Sequence, residues 1–339
     1  MQDDSPKPSA MMVAILRAAH QLLDAPPILD DPLALRIIGA EREAEVRANP
    51  ERFRDALTTA LRTILVIRSR LAEDTWQEAQ QRGVTQHVIL GAGLDTSAYR
   101  GSLPPQARVF EVDLPATQQW KRARLAAAGI AVPDAVRYAA VDFSATALAD
   151  GLAQAGFDRT APACFTWLGV TLYLTPEDVA HTLDYIASCA PGSSVVFDFV
   201  IAPHLLEPRE RAAMEAISAS LAQGGEPWKS NFAPAELETL LLGMGYNRVE
   251  HFGRDELTQR YLRGRSDDLR LAGSTGIIRA TAGGNAATGA TPAEHSAAGA
   301  GTAAAVPGTL AAAGTAAAGM AGTAAAETPG VAAAGTARR

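Results

Sequence analysis

The chain has 339 residues and a formal net charge of −7, with 30 Lys and Arg against 37 Asp and Glu. That balance excludes a dominant basic surface, and with it non-specific nucleic-acid binding. The 20% charged residues, scattered among apolar ones, exclude a disordered polyelectrolyte. The 47% apolar content is inflated by residues 281–339, which are mostly Ala, Gly and Thr. Two cysteines, Cys164 and Cys189, are too few for a disulfide scaffold and sit in apolar stretches, as buried thiols do. With no basic-plus-apolar leader and no apolar run of about 18 residues, the expectation is a cytoplasmic protein without a membrane partner.

Residues 1–8 read as a disordered start. Residues 9–23 fit an amphipathic helix with Arg17 and His20 on its polar side, and 51–82 fit one or two further helices. Together 9–82 form a helical cap. The texture then changes. Short β-branched or aromatic runs at 87–90, 107–113, 136–142, 163–169 and 193–200 alternate with helical patterns at 115–128, 144–155 and 176–190. Such alternation predicts βαβ units and a mostly parallel sheet between helices. Residues 204–230 read as an insertion whose helix lies within 204–223, followed by a helix at 234–244 and strands at 248–253 and 276–280. The expectation is a Rossmann-like α/β domain over 9–280 with a seven-stranded sheet. Residues 281–339 have no aromatics and cannot offset their ordering entropy, so they read as a disordered tail.

Chemistry concentrates at the predicted strand ends. The strand HVIL (87–90) runs into Gly91-Ala92-Gly93, where glycine permits a tight turn and close approach of a ligand to the main chain. A dinucleotide fingerprint needs a third glycine; here Leu94-Asp95-Thr96 follows instead. That departure and the acidic Asp95 disfavour a pyrophosphate and favour a phosphate-free nucleoside such as S-adenosyl-L-methionine. Asp113 closes the second strand, where a carboxylate accepts from ribose hydroxyls. Asp142 and Phe143 close the third, where a carboxylate and a main-chain N–H suit an adenine edge.

These segments resemble a known family. GAGLDT-x-x-YR (91–100), FEVD-x-P-x5-KR (110–122), VDF (141–143) and YLTPE (173–177), with SAMMVAILRAAH (9–20) and ILDDPLA (28–34), are similar to the leucine carboxyl methyltransferase-like family. More narrowly, they resemble its bacterial, actinomycete-type branch of S-adenosyl-L-methionine-dependent O-methyltransferases. The resemblance implies a class I methyltransferase fold with S-adenosyl-L-methionine as cofactor. It places Asp113 on the ribose, Asp142 and Phe143 on the adenine, and Gly91 and Gly93 at the methionine part. It also implies an arginine for the cofactor carboxylate: Arg68 or Arg70, with Arg68 favoured. One position departs. The family often carries Glu five residues before the Tyr of YLTPE; here it is Leu168.

Methyl transfer from a sulfonium is an in-line displacement, so alignment and desolvation are what the protein must supply. An acidic oxygen needs no base, whereas an alcohol does. Candidate bases are His204 and Asp198; Tyr173 is better placed to position substrate. No histidine shows metal-ligand spacing, so no metal is expected. Trp120, Lys121, Arg122 and Arg124 read as an exposed helix face. The expected activity is O-methylation of a small-molecule carboxylate or hydroxyl. The alternatives are a nicotinamide-dependent oxidoreductase, or a cofactor-binding module that has lost catalysis, which Leu168 keeps open.

Overall fold

The computed structural model describes residues 7–101, 103–142, 148–267 and 269–283. Its centre is β1 (Gln86–Leu90), buried at every position between β2 (Arg108–Asp113) and β4 (Ala163–Trp167), to both of which it runs parallel. A parallel strand covered on both faces has to be apolar throughout, hence HVIL and ACFTW. β3 (Val136–Ala140) flanks β2, and β5 (Ser194–Val200) flanks β4. β6 (Tyr246–Phe252) and β7 (Thr275–Ala282) complete the sheet, in the order β3-β2-β1-β4-β5-β7-β6, with β7 antiparallel to both its neighbours. The chain moves outward from β1 to β3 and then returns to β4 on the other side of β1. The crevice above the carboxyl ends of β1 and β4 is therefore a topological switch point, where open α/β sheets bind ligands.

The period-two alternation of β1 divides the core. Val88 and Leu90 pack on the face covered by α6 (Leu148–Gln154), α7 (Pro176–Ala187) and α9 (Pro234–Gly243), through Leu152, Leu183 and Leu241. Ile89 packs on the opposite face, with α1 (Pro8–Leu23), α5 (Pro115–Ala127) and α4 (Ala56–Gln81). Local sequence sets the helix ends. Asp55 caps α4 by accepting the Thr58 N–H at 3.0 Å. The TPED run starts α7 as a capping box in which Thr175 and Asp178 satisfy each other's main-chain N–H, with Pro176 in the first turn.

Among the described residues the predicted elements are present, with three differences; the beginning of the helix expected at 144–155, and residues 1–6 and 284–339 of the expected disordered start and tail, lie outside them. The helix expected from residue 51 begins at Ala56, after a 3-10 turn over Pro50–Phe53. Two short helices, α2 (Ala34–Ile37) and α3 (Ala40–Ala48), lie between α1 and that turn. A further short helix, α10 (Arg254–Leu257), runs into a single π turn before β7. The helix α8 (Pro208–Gln223) falls within the expected insertion.

Two expectations about polar side chains are corrected. Arg17 and His20 do not face solvent; both are buried. The Arg17 guanidinium lies 2.8 Å from Asp31 and donates to the Leu94 carbonyl at 2.6 Å. His20 Nε2 accepts the Ile28 N–H at 2.9 Å, which assigns the ring proton to Nδ1, 2.7 Å from Asp24. Arg62 closes the set, donating to Asp24 at 2.8 Å. The polar stripe of α1 is thus turned inward because its partners come from loops and from α4. Lys121 is likewise buried, with its Nζ 2.7 Å from Glu111 of β2. Of its neighbours, Arg122 is exposed and lies over Tyr138, whereas Arg124 and Trp120 are half-buried, Arg124 lying over Trp120 and donating to the Ile38 carbonyl at 3.0 Å.

Candidate active site

The site is built on the turn that leaves β1. Gly91 and Gly93 take φ of +66° and +41°, where a Cβ is unfavourable. The N–H groups of Gly91 and Ala92 both donate to the Val112 carbonyl, at 2.8 and 3.1 Å, so the sheet's pairing with β2 continues into the turn. A Cβ on Gly91 would come within 2.3 Å of Val170 Cγ2, so this glycine also answers to packing beneath the turn.

Asp113 ties β2 to that turn. Its Oδ2 accepts the Gly93 N–H at 2.6 Å and its Oδ1 accepts the Leu114 N–H at 2.8 Å. Burial pushes its carboxyl above the usual range, against the opposing pull of these two N–H donors. The Val141 N–H donates to the Asp113 carbonyl at 3.0 Å, which brings the segment carrying Asp142 beside it on the same carboxyl edge. Phe143 lies outside the described residues. Asp95 folds back on its own turn and accepts the Ser97 N–H at 2.7 Å. Burial alone would raise its carboxyl, but Arg17, Lys121 and the Ser97 bond hold it below the ordinary value.

Beside the turn lies a buried ion pair. Arg68 Nη1 is 2.6 Å from Asp198 Oδ2, while Asp198 Oδ1 accepts the Gly169 N–H at 2.6 Å. The guanidinium lies so close to Gly169 that a Cβ there would stand 2.7 Å from Nη2. Arg70 points elsewhere; it is half-exposed and pairs with Asp74 at 2.8 Å. Of the two arginines weighed from the sequence, the fold brings Arg68 to the site.

Above these groups is a cavity of about 550 Å³, over the ends of β1, β4, β5 and β7 and roofed by α1, α4 and α8. Gly91, Gly93, Arg68, Asp198, Leu168 and Tyr173 all line it. Burial pushes the Tyr173 hydroxyl up to about 12; Ser9, Glu226 and Trp228 surround it. Glu226 accepts the Ser9 N–H at 3.1 Å and the Ser9 hydroxyl at 2.8 Å, fastening the start of α1 to the segment after α8. His204 is exposed on a 3-10 turn over Pro203–Leu205 and does not reach the lining. Among the described residues no group of three or more His, Cys, Asp or Glu is placed to hold a metal, and no helix is long and apolar enough to cross a membrane.

Sequence reasoning missed Arg17, Asp31 and Glu226. The Asp in ILDDPLA was a usable signal, but its partners stand at residues 17, 96 and 100, too far along the chain for spacing to pair them.

Comparison with known proteins agrees with this architecture. A family profile described as leucine carboxyl methyltransferase matches residues 10–187. The Bacillus subtilis (strain 168) protein named "Putative S-adenosyl-L-methionine-dependent methyltransferase YktD" is 31% identical over 283 residues, covering 77% of this chain and 93% of its own. A similarly named protein of Mycolicibacterium vanbaalenii is 31% identical over 66% of this chain and 74% of its own. A crystal structure from Thermobifida fusca YX, named a putative methyltransferase, superposes with a TM-score of 0.51 at 16% identity, over 83% of this chain and 96% of that one, and shares the fold. The chain belongs to the leucine carboxyl methyltransferase family.

Proposed function

We propose that this protein transfers the methyl group of S-adenosyl-L-methionine to a carboxylate oxygen of a small molecule. Methyl transfer dependent on this cofactor is the chemistry named for its relatives, and the residues present suit the cofactor. It is a phosphate-free nucleoside with a zwitterionic tail. Asp113 stands half-buried at the carboxyl end of β2, tied to the Gly93 turn, and is assigned to the ribose hydroxyls. Asp142 and Phe143 are assigned to the adenine edge, and Arg68 to the carboxylate of the tail, which a guanidinium pairs in a planar fork. Asp95, held ionised where a pyrophosphate would need donors, opposes a dinucleotide and tolerates a sulfonium. The nicotinamide alternative loses its footing at this residue.

The observation that carries the choice of acceptor is the lining of the cavity. It includes no His, Lys or Cys among the described residues. Its acids are engaged: Asp95 by Ser97, Asp198 by Arg68 and Gly169, and Glu210 by Gly273 at 2.8 Å. Tyr173 keeps its proton at neutral pH. No lining group among the described residues stands unpaired to take a proton from an alcohol, which supports an acceptor that arrives already ionised. When bound, the cofactor supplies an electrophilic methyl on a good leaving group. The chain aligns the acceptor, orients it through the Tyr173 hydroxyl, and excludes water with the apolar roof, which leaves the carboxylate less solvated and more reactive.

The test is transfer of labelled methyl from S-adenosyl-L-methionine to paired carboxylic acids and alcohols of the same skeleton. Base-labile methyl esters from the acids alone support the reading. Ethers from the alcohols, or calorimetric binding of S-adenosyl-L-homocysteine with no transfer to any acid, count against it.

A further inference from the structure

The cavity has two ends of different character. One lies over β1, at Gly91 and Gly93. The other lies over β5 and β7, where Val200 pairs with Thr275 and where Arg209 of α8 reaches the lining. Strands β1, β4, β5 and β7 are successive neighbours, so three strand spacings, about 14 Å, separate the two ends. The wall between them is apolar: Leu57, Leu61 and Ile64 come from α4, and Met214, Ile217 and Leu221 from α8. A short polar acid would leave that wall wet, whereas an elongated apolar body gains about 25 cal/mol for each Å² it covers.

Charge marks the outer end. Three arginines line the cavity. Arg17 is held by Asp31 and the Leu94 carbonyl, and Arg68 by Asp198. Arg209 is exposed at the mouth and has no carboxylate or carbonyl partner among the described residues. The adjacent Glu210 does not neutralise it, because its carboxylate accepts the Gly273 N–H at 2.8 Å and pairs with Arg254 at 3.0 Å.

Building on the carboxylate-methylation reading above, we infer that the acceptor is an elongated diacid. Its apolar body lies along the wall of α4 and α8, one carboxylate stops beside the place assigned to the cofactor over Gly91 and Gly93, and the second anionic group is held at the mouth by Arg209. In the reaction the inner carboxylate oxygen bonds to the methyl carbon as the carbon–sulfur bond breaks. The bonding pair stays on sulfur and cancels its positive charge, and no proton moves.

The experiment is calorimetric titration of the full chain with dodecanedioate, succinate and dodecanediol, each with and without saturating S-adenosyl-L-homocysteine. The expected result is that dodecanedioate binds more tightly than succinate. Arg209→Gln should weaken dodecanedioate about five- to ten-fold while leaving dodecanediol unchanged, with Arg209→Lys in between. Thermal melts confirm that each variant is folded. Equal dodecanedioate affinity in the wild type and Arg209→Gln, succinate binding as tightly as dodecanedioate, or no dodecanedioate binding would overturn the inference. The two readings fail separately. If S-adenosyl-L-homocysteine binds and dodecanedioate does not, only the diacid site falls. If dodecanedioate binds in an Arg209-dependent way and S-adenosyl-L-homocysteine does not bind, the diacid site stands and the methyl-transfer reading falls.

Discussion

Replacing Asp113 with alanine tests the cofactor site most directly, because its carboxylate has two separable duties. It holds the glycine turn, through N–H bonds of 2.6 and 2.8 Å from Gly93 and Leu114. Its remaining lone pairs are assigned to the ribose. The first duty bears on stability: the bonds are charge-assisted, but they lie at a half-buried edge where water can replace them, so we expect a loss of about 1–2 kcal/mol. The second bears on affinity. Loss of a charged acceptor facing two hydroxyls should cost about 1–3 kcal/mol, or roughly five- to 150-fold in Kd for S-adenosyl-L-homocysteine. Asp113→Asn should fall between, since its amide oxygen can keep one N–H while its NH2 confronts the other. pH adds a second handle. Burial raises this carboxyl, so the folded protein holds the proton more tightly than the unfolded chain does. That group favours folding at low pH, and the contribution is lost as pH climbs through the raised value. Cofactor affinity runs the other way, because the hydroxyls need the ionised form. Calorimetry on the variants, with thermal melts alongside, separates the two duties. A folded Asp113→Ala that binds like the wild type would refute the ribose assignment.

Three further perturbations test the scaffold. Burial pushes His87 from its ordinary 6.5 down to about 4, so the unfolded chain takes up the proton first; stability is complete above pH 6.5 and falls by up to about 3 kcal/mol as pH drops to 4, and urea titrations of His87→Gln should show that part of the slope removed. Gly91→Ala forces a Cβ into a positive-φ position 2.3 Å from Val170 Cγ2 and should cost about 2 kcal/mol or more; Val170→Ala in the same chain should recover the steric part in a thermal melt, and no recovery would mean that φ alone sets the cost. Lys121→Met strands the Glu111 carboxylate in the core with the Tyr99 hydroxyl, at 2.9 Å, as its one remaining side-chain partner among the described residues, and should destabilise by about 3–5 kcal/mol; adding Glu111→Gln should restore much of it, and a double variant no better than the single one would show that the pair is not the unit being broken.

The sheet was legible in the sequence because a parallel strand covered on both faces is written as a near-continuous apolar run. HVIL, RVFEV and SVVFDFV carry that mark, broken inside the strands by Glu111 and Asp198, each of which meets an ion-pair partner. The short helices α2, α3 and α10 were not legible, since four to nine residues hold too few turns for a periodicity to register. Nor were the inward faces of α1 and α5. Arg17, His20 and Lys121 look solvated to a reading of local polarity, but each is buried against an acid: Arg17 and Lys121 against Asp31 and Glu111 from other elements, and His20 against Asp24 at the end of its own helix, which Arg62 of α4 also holds. His204 shows the converse error. Sequence order put it just after β5, at the lip of the site, while the 3-10 turn that carries it leaves it exposed.

The motifs themselves mix two purposes that only the fold separates. In FEVD and the KR that follows, Glu111 and Lys121 form a buried pair inside the sheet's flank, while Asp113 alone reaches the turn. In YLTPE, Thr175 and Pro176 begin a helix, and Tyr173 alone lines the cavity. The same separation gives the departure at residue 168 a physical sense. Leu168 packs against the cluster that contains Ile64, Ile67 and Leu71 of α4, and it lines the cavity next to Gly169. A carboxylate there would stand one residue from the Gly169 N–H that already serves Asp198, and would set a second negative charge beside the pair on which the tail of the cofactor is proposed to depend. Leucine instead carries the apolar wall of α4 down to the end of β4. On the function proposed above, leucine at this position leaves Arg68 and Asp198 undisturbed and would turn the chamber from holding a polar group toward holding a hydrocarbon one.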